Sequence, residues 1–361
     1  MNTDKKLYIA GIGMITSVGA NTDMTLAAVN AGISGYTLSD FESHTGQALT
    51  MSLISEEIFG GIEYKTGLKL DQGNCFNSRH DRITIMATIA LQEACSKLTT
   101  EQAVPFIMAQ SEYTYDKADL SSLIHNLASN VSPWLDPKLS RNFNSGRPAG
   151  IEAIDMIFQY LYDLEHEYFI IGGSDSYLDD TLINQLNNED RLMYQNNADG
   201  FVAGEAAAYL VLTNNPKRGL VKNNSIIALS CPGISDEKGH LKSEFPYKGE
   251  GLDLAVKGAL KSQPKHKISA IYSSMNGENH WAKELGIVQL RNKQYLTDKV
   301  DIKHAADCYG DIGAATAPML IAQCATDLWR HPQATSHLVY SSADTAKRGA
   351  IVVENIQCQA D

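Results

Sequence analysis

Short apolar runs and amphipathic stretches alternate along this chain, and their order predicts a mixed α/β fold. Residues 7–13 (LYIAGIG) form an apolar run closed by glycines, which predicts a strand. Asn21 and Thr22 then supply a cap for a helix over 23–30, stopped at Gly32. Residues 37–70 are polar and irregular and read as excursions over a sheet. Arg79-His80-Asp81-Arg82 leads an amphipathic helix over 83–98, with Ile85, Ala87, Ile89, Ala90, Ala94 and Leu98 at helical spacing. A strand is expected over 104–109, a helix over 119–128 and a turn over 131–134.

The chain is organised around residues 144–176. From 151 to 164 apolar positions crowd nearly every face, the mark of a helix surrounded by protein, and a strand closing on Gly172-Gly173 follows. The helix begins after a turn at Ser145-Gly146. Its exposed N–H groups and positive dipole end would favour a thiolate or an oxyanion there. Arg147 and Pro148 occupy the place instead, and a guanidinium can neither lose its proton nor attack a carbonyl. A helix over 178–186, a polar loop over 187–197 and a buried strand within 198–212 (ADGFVAGEAAAYLVL) complete this half.

After Asn214-Asn215-Pro216-Lys217, which reads as a linker, the order of elements restarts. Strands are expected at 225–231 and 268–274, helices at 252–262, 281–289 and 314–329, and closing strands at 338–342 and 350–353. Two successive halves, 1–215 and 216–361, with one order of elements suggest an internal duplication around two stacked sheets.

Length and composition narrow the chemistry. At 361 residues and 43% apolar content the chain can bury a large core. A net charge of −12 argues against nucleic acid or an anionic membrane as the main partner, and leaves room for a local basic patch. The N-terminal residues hold no long apolar core, so no membrane insertion and a cytoplasmic location are expected. Gly11-x-Gly13 tempts a dinucleotide reading, but the next glycine is Gly19, so no cofactor is inferred. The six cysteines form no CxxC pair, and His166 and His280 lack metal-ligand spacing, so neither a disulfide nor a metal site is expected.

Several stretches carry a resemblance over nearly the whole chain. Asp199, Gly200, Phe201, Val202, Gly204 and Glu205 match a DGFVxGEGAGxLVLE segment, residues 7–35 resemble the same family's opening, and IIGGSDS resembles its AGGAE turn. The family is that of the thiolase-fold β-ketoacyl-acyl-carrier-protein synthases. The resemblance implies a five-layer αβαβα architecture from two duplicated halves, dimerising through the strand before the nucleophile. It places the nucleophilic cysteine on Arg147, with Ser145 and Gly146 as neighbours. The two catalytic histidines fall on Asn276 and Asp311, the lysine of the second histidine's motif on Ala306, and the GFGG loop on residues 343–349.

Decarboxylative condensation needs a thiolate to carry the acyl chain and two neutral imidazoles to stabilise an enolate. Arg147 cannot carry an acyl group, and an ionised Asp311 would repel the enolate. The resemblance therefore points to the family's non-catalytic relatives, the chain-length factors, of aryl-polyene or related type. Such a subunit pairs with an active ketosynthase, shapes its acyl tunnel and leaves acyl carrier protein docking mainly to the partner. The implied interface runs through Leu139, Arg141, Phe143, Ser145 and Arg147, with the Arg147 guanidinium pairing across the dimer. The alternative is a divergent acyltransferase or thioester hydrolase with relocated groups, such as Cys308 with His304 and Asp311, or Ser145 as nucleophile.

Overall fold

The computed structural model describes residues 5–59, 78–100, 102–113, 124, 127, 135, 137–262, 264–331, 333 and 335–358. The first half contains β1 (Leu7–Thr16), α1 (Thr22–Asn30), β2 (Thr37–Glu42), β3 (Ala48–Ser52), α2 (Arg79–Cys95), β4 (Phe106–Ala109) and β5 (Arg141–Phe143). It continues through α3 (Ala149–Met156), β6 (Tyr168–Ser176), α4 (Asp180–Asn188) and β7 (Ala203–Thr213). The second half contains β8 (Ser225–Leu229), β9 (Gly233–Asp236), α5 (Glu250–Leu260), β10 (Ile268–Ser273), α6 (Asn279–Arg291) and β11 (Leu296–Lys303). Then come α7 (Ala306–Tyr309), α8 (Thr316–Arg330), β12 (Ser336–Ser342) and β13 (Lys347–Gln357).

The two halves of the chain share one strand order. Running outward from the middle, the first half is ordered β1-β7-β6-β4-β5 and the second β8-β13-β12-β10-β11. In each half the two innermost pairings are antiparallel and the two outermost parallel. The sheets are also joined edge to edge, because β1 pairs antiparallel with β8 at Leu7–Leu229 and Tyr8–Ala228. The two sheets are thus continuous along one strand path.

Between the two sheets lie α3 and α8, each packed on strands of both halves, while α2 covers the outer face of the first sheet and α5 and α6 that of the second. This is the αβαβα arrangement of the thiolase fold. Every residue of α8 from Thr316 to Trp329 except Asp327 is buried, as a helix enclosed on both faces requires. Ile151, Ile154, Leu320 and Trp329 belong to the core between the sheets. Gly173 permits the close approach: a Cβ there would stand 2.4 Å from the Ala314 carbonyl oxygen.

Local corrections follow from packing. The helix expected over 151–164 is α-helical only to Met156, widens into a π-helical turn over Ile157–Leu161, and emerges at the surface, with Tyr160 and Leu164 exposed. The stretch 37–70 opens with the antiparallel hairpin β2–β3 instead of irregular chain. The loop 187–197 is polar in composition yet buries Arg191, Leu192 and Tyr194. The helix expected over 119–128 and the turn over 131–134 lie outside the described residues, apart from residues 124 and 127. No described helix is long and apolar enough to cross a membrane.

Candidate functional site

After β5 the chain reverses at Gly146, whose φ of +67° suits glycine, and delivers Arg147 just before α3. The Arg147 side chain enters the space where loops of both halves meet, and only 2% of it is exposed. Its guanidinium donates from Nη1 to Asp311 Oδ2 at 2.5 Å, from Nη2 to Asp344 Oδ1 at 2.5 Å and from Nε to the Ser342 carbonyl at 2.9 Å. It also stacks over Trp281, 4.6 Å from the ring centroid. Each of its three nitrogens has a partner within the chain, in place of the expected pairing across a dimer.

The three degenerate positions meet. Asn276, just past β10, donates from Nδ2 to Asp311 Oδ2 at 2.8 Å, so Asp311 accepts from Asn276 and Arg147 together. Its other oxygen accepts the Gly313 N–H at 2.9 Å. At the two places where the resemblance implies imidazoles, a carboxylate accepts from an amide and from an arginine.

Residues the sequence did not single out complete the cluster. Arg191 makes a bidentate pair with Glu278 at 2.7 and 2.8 Å and reaches Asp344 Oδ2 at 2.6 Å. The Tyr113 hydroxyl also donates to Asp344. The Trp281 indole N–H donates to Glu278 at 3.0 Å, and Glu112 accepts the N–H groups of Asp344 and Thr345. Asp344 sits in residues 343–349, the stretch matched to the family's GFGG loop, so a carboxylate stands where a glycine-lined oxyanion hole is implied. Glu278 lies two residues after Asn276, the signal closest to hand. Arg191 was hidden by the polar composition around it.

Burial alone would weaken Arg147's hold on its proton, but Asp311 and then Asp344 overcome it and keep the guanidinium charged. Burial would raise the Asp344 carboxyl, yet Arg147 and Arg191 outweigh it and hold it well below the usual carboxylate range. Glu112 goes the other way: burial first, then the Asp344 charge, push it up to about 7. The cavity behind Asn276 and Asp311 measures about 10 Å³, room for one water at most and none for an acyl group.

The most recognisable stretch, Asp199 to Glu205, is the scaffold of this cluster. The Asp311 N–H bonds to the Val202 carbonyl, and the Gly204 N–H to the Asp311 carbonyl. Phe201 exchanges backbone bonds with Arg191 and Met193, and Asp199 Oδ1 accepts the Asn279 N–H at the start of α6. Gly204 is needed because a Cβ would lie 2.3 Å from the Tyr309 carbonyl oxygen. Glu205 is buried and ties β7 to Arg82 of α2, the Ser176 hydroxyl and the Ile54 N–H.

The relocated sites are not assembled. Asp311 belongs to Arg147 and Asn276, while His304 pairs with Asp307 at 2.9 Å, and burial followed by Asp307 pushes the Cys308 thiol up, away from thiolate. The Ser145 hydroxyl donates to Glu152. His280 packs edge-on to Trp281 and Tyr247, and His166 to Phe169. Cys95, Cys231, Cys308, Cys324 and Cys358 are unpaired, and Cys75 lies outside the described residues. Among the described residues, no three His, Cys, Asp or Glu side chains are grouped to hold a metal. Of the expected interface, Arg141 and Phe143 lie on β5, the edge strand of the first sheet, whereas Leu139 closes a 3-10 turn before it and Ser145 follows it.

No protein-family model matches this chain, and no curated protein matches it. Solved structures do. The ishigamide ketosynthase/chain length factor is 15% identical over 97% of this chain and 99% of that one, with a TM-score of 0.71. The ketosynthase ApeO in complex with its chain length factor ApeC, from Xenorhabdus doucetiae, is 16% identical over 99% of both chains, with a TM-score of 0.72. The AntDE:AntF complex of a type II polyketide synthase acyl-carrier protein and its ketosynthase is 14% identical over 98% and 99%, with a TM-score of 0.75. Across its length, then, this chain has the ketosynthase form of the thiolase fold.

Proposed function

We propose that the chain is a non-catalytic ketosynthase-like subunit, a chain-length factor that pairs with an active β-ketoacyl-acyl-carrier-protein synthase. One observation carries the reading: Arg147, which the resemblance sets at the nucleophile's place, is buried and bonded between Asp311 and Asp344. A site of this kind has neither a group to acylate nor an electrophilic pair for an enolate.

The edge position of β5 supports the partner half of the proposal. Its pairing with β4 leaves one edge of Arg141–Phe143 without a strand among the described residues, and an antiparallel partner strand would extend the sheet across an interface. Arg141 and Asn142 are exposed, so backbone bonds and specific polar contacts would set the match, with area from neighbouring elements. Carrier-protein docking then falls mainly to the partner, and the partner's growing chain ends against this subunit near Phe143 or within residues 109–134. The pathway belongs to polyketide, aryl-polyene or fatty-acid-like synthesis.

Two measurements test the proposal together. Native mass spectrometry with a co-expressed ketosynthase is expected to give a heterodimer in preference to a homodimer, and the purified chain is expected to neither acylate nor elongate a carrier-bound substrate. Elongation by the chain alone, or a homodimer indifferent to the ketosynthase, overturns it.

A further inference from the structure

The outer layer of the second half carries a surface that the buried cluster does not use. No Asp or Glu occurs between Asp253 and Glu278, and basic residues outnumber acidic ones in the second half although the whole chain is at −12. The fold gathers this stretch into an open cleft of about 540 Å³, lined among the described residues by Lys257, Lys261, Lys265, His266, Lys267 and Tyr295 and by no carboxylate or arginine. Asp253 of α5 is already held by Lys257 at 2.7 Å and Asn292 at 2.8 Å.

Exposed apolar side chains border these lysines. Leu254, Lys257 and Lys261 recur at intervals of three and four residues along α5 and share one face. Leu254 is 58% exposed, Leu290 of α6 79% and Tyr295 just beyond it 42%. The two helices pack side by side, and Arg291 at the end of α6 donates to the Gly249 carbonyl at the start of α5. The buried cluster lies at the other end of α6, where Trp281 sits about 14 Å along the axis from Leu290.

We propose that this surface docks the chain on the face of an anionic lipid bilayer. Protein partners recruit arginine and aromatic anchors to their interfaces and avoid lysine. A cluster rich in lysine, whose ammonium groups are hydrated point charges, flanked by projecting leucines and a tyrosine, suits mobile anionic headgroups and the interfacial zone beneath them. The negative charge of the first half does not oppose this, because at physiological salt charges are screened beyond about 8 Å. The association is peripheral, rests on no feature of the Arg147 cluster and goes beyond the subunit reading, so either can fail without the other.

The test sediments the full chain with vesicles of phosphatidylglycerol and phosphatidylcholine, and with phosphatidylcholine alone. Binding is expected to the first only and to be released by salt. Lys261→Glu/Lys265→Glu/Lys267→Glu should lower partitioning on the order of 100-fold or more, at about fivefold per lysine removed. The corresponding Lys→Arg triple variant should bind like the wild type, which separates loss of charge from misfolding. Leu254→Ser/Tyr295→Ser should weaken binding while keeping its dependence on anionic lipid. Absence of binding to phosphatidylglycerol vesicles, equal binding to neutral ones, or an unaffected triple-glutamate variant overturns the proposal. So does cross-linking of an acidic carrier protein to these lysines with no vesicle binding.

Discussion

Arg147 Nη1 stands 2.5 Å from Asp311 Oδ2, and this pair joins the position before the central helix to a loop 164 residues later in the chain. Both groups are buried, so the pair supports the site chiefly by leaving neither charge alone. Removing one partner of a buried pair typically costs about 3–5 kcal/mol, whereas replacing both can be neutral. Arg147→Ala is therefore expected to lower unfolding free energy by about 3–5 kcal/mol. Arg147→Met combined with Asp311→Asn should recover part of that loss. Denaturant melts of Arg147→Met, Asp311→Asn and the double variant read the coupling, and purely additive effects would show that the pair does not act as a unit.

Arg147→Cys restores the element, not the activity. The thiol would face Asp311 and Asp344, whose charges oppose a thiolate, and Asn276 and Asp311 would still stand where two neutral imidazoles are needed. We expect no elongation of a carrier-bound acyl chain in a radiolabel assay, and at most slow acylation seen by intact-protein mass spectrometry. Condensation by this single variant would show that Asn276 and Asp311 suffice for the enolate.

Glu112 and Asp344 shape stability in opposite directions. For Glu112 the folded value of about 7 exceeds the ordinary 4.5, so the folded state holds the proton more tightly and stability declines as pH rises from about 4.5 to about 7. For Asp344 the folded value is depressed, so its contribution is present above the ordinary 3.8 and is lost as pH falls through the folded value. Glu112→Gln should flatten the neutral-side decline and leave the acid-side loss in place. Urea unfolding at a series of pH values checks this, and an unchanged slope between pH 4.5 and 7 would remove Glu112 from the account.

Asn142→Pro tests the edge strand. The Phe143 carbonyl accepts the Gln110 N–H at 2.8 Å, so Phe143 faces β4 and, by strand alternation, the Asn142 amide faces the open edge. Proline is tolerated at such an edge but cannot donate across it. Assembly with a co-expressed ketosynthase should drop about 10-fold or more, one lost and desolvated backbone bond costing on the order of 1–3 kcal/mol. The thermal midpoint of the isolated chain should fall only as far as it does in Asn142→Ala, which also loses the side-chain bond to Gln110 but keeps the edge amide. An unaffected heterodimer would place the interface elsewhere.

Much of this protein could be read from its residues in order. Apolar runs and helical spacing marked the strands β1, β6, β7 and β12 and the enclosed helix α8, because each element is a local response to period and burial. The Gly146 turn that delivers Arg147 to the start of α3 could be read for the same reason: turn glycines and caps are contiguous in sequence. The partners of Arg147 could not. Asp344 lies 197 residues away, and nothing local distinguishes it from a solvated turn aspartate until the β12–β13 turn is folded over α3. Arg191 looked like part of a hydrophilic loop, and only the backbone bonds of Phe201 draw it beneath the surface to Glu278 and Asp344. Charge in a sequence is a count, but its effect depends on distance and dielectric, both of which are set by the tertiary structure.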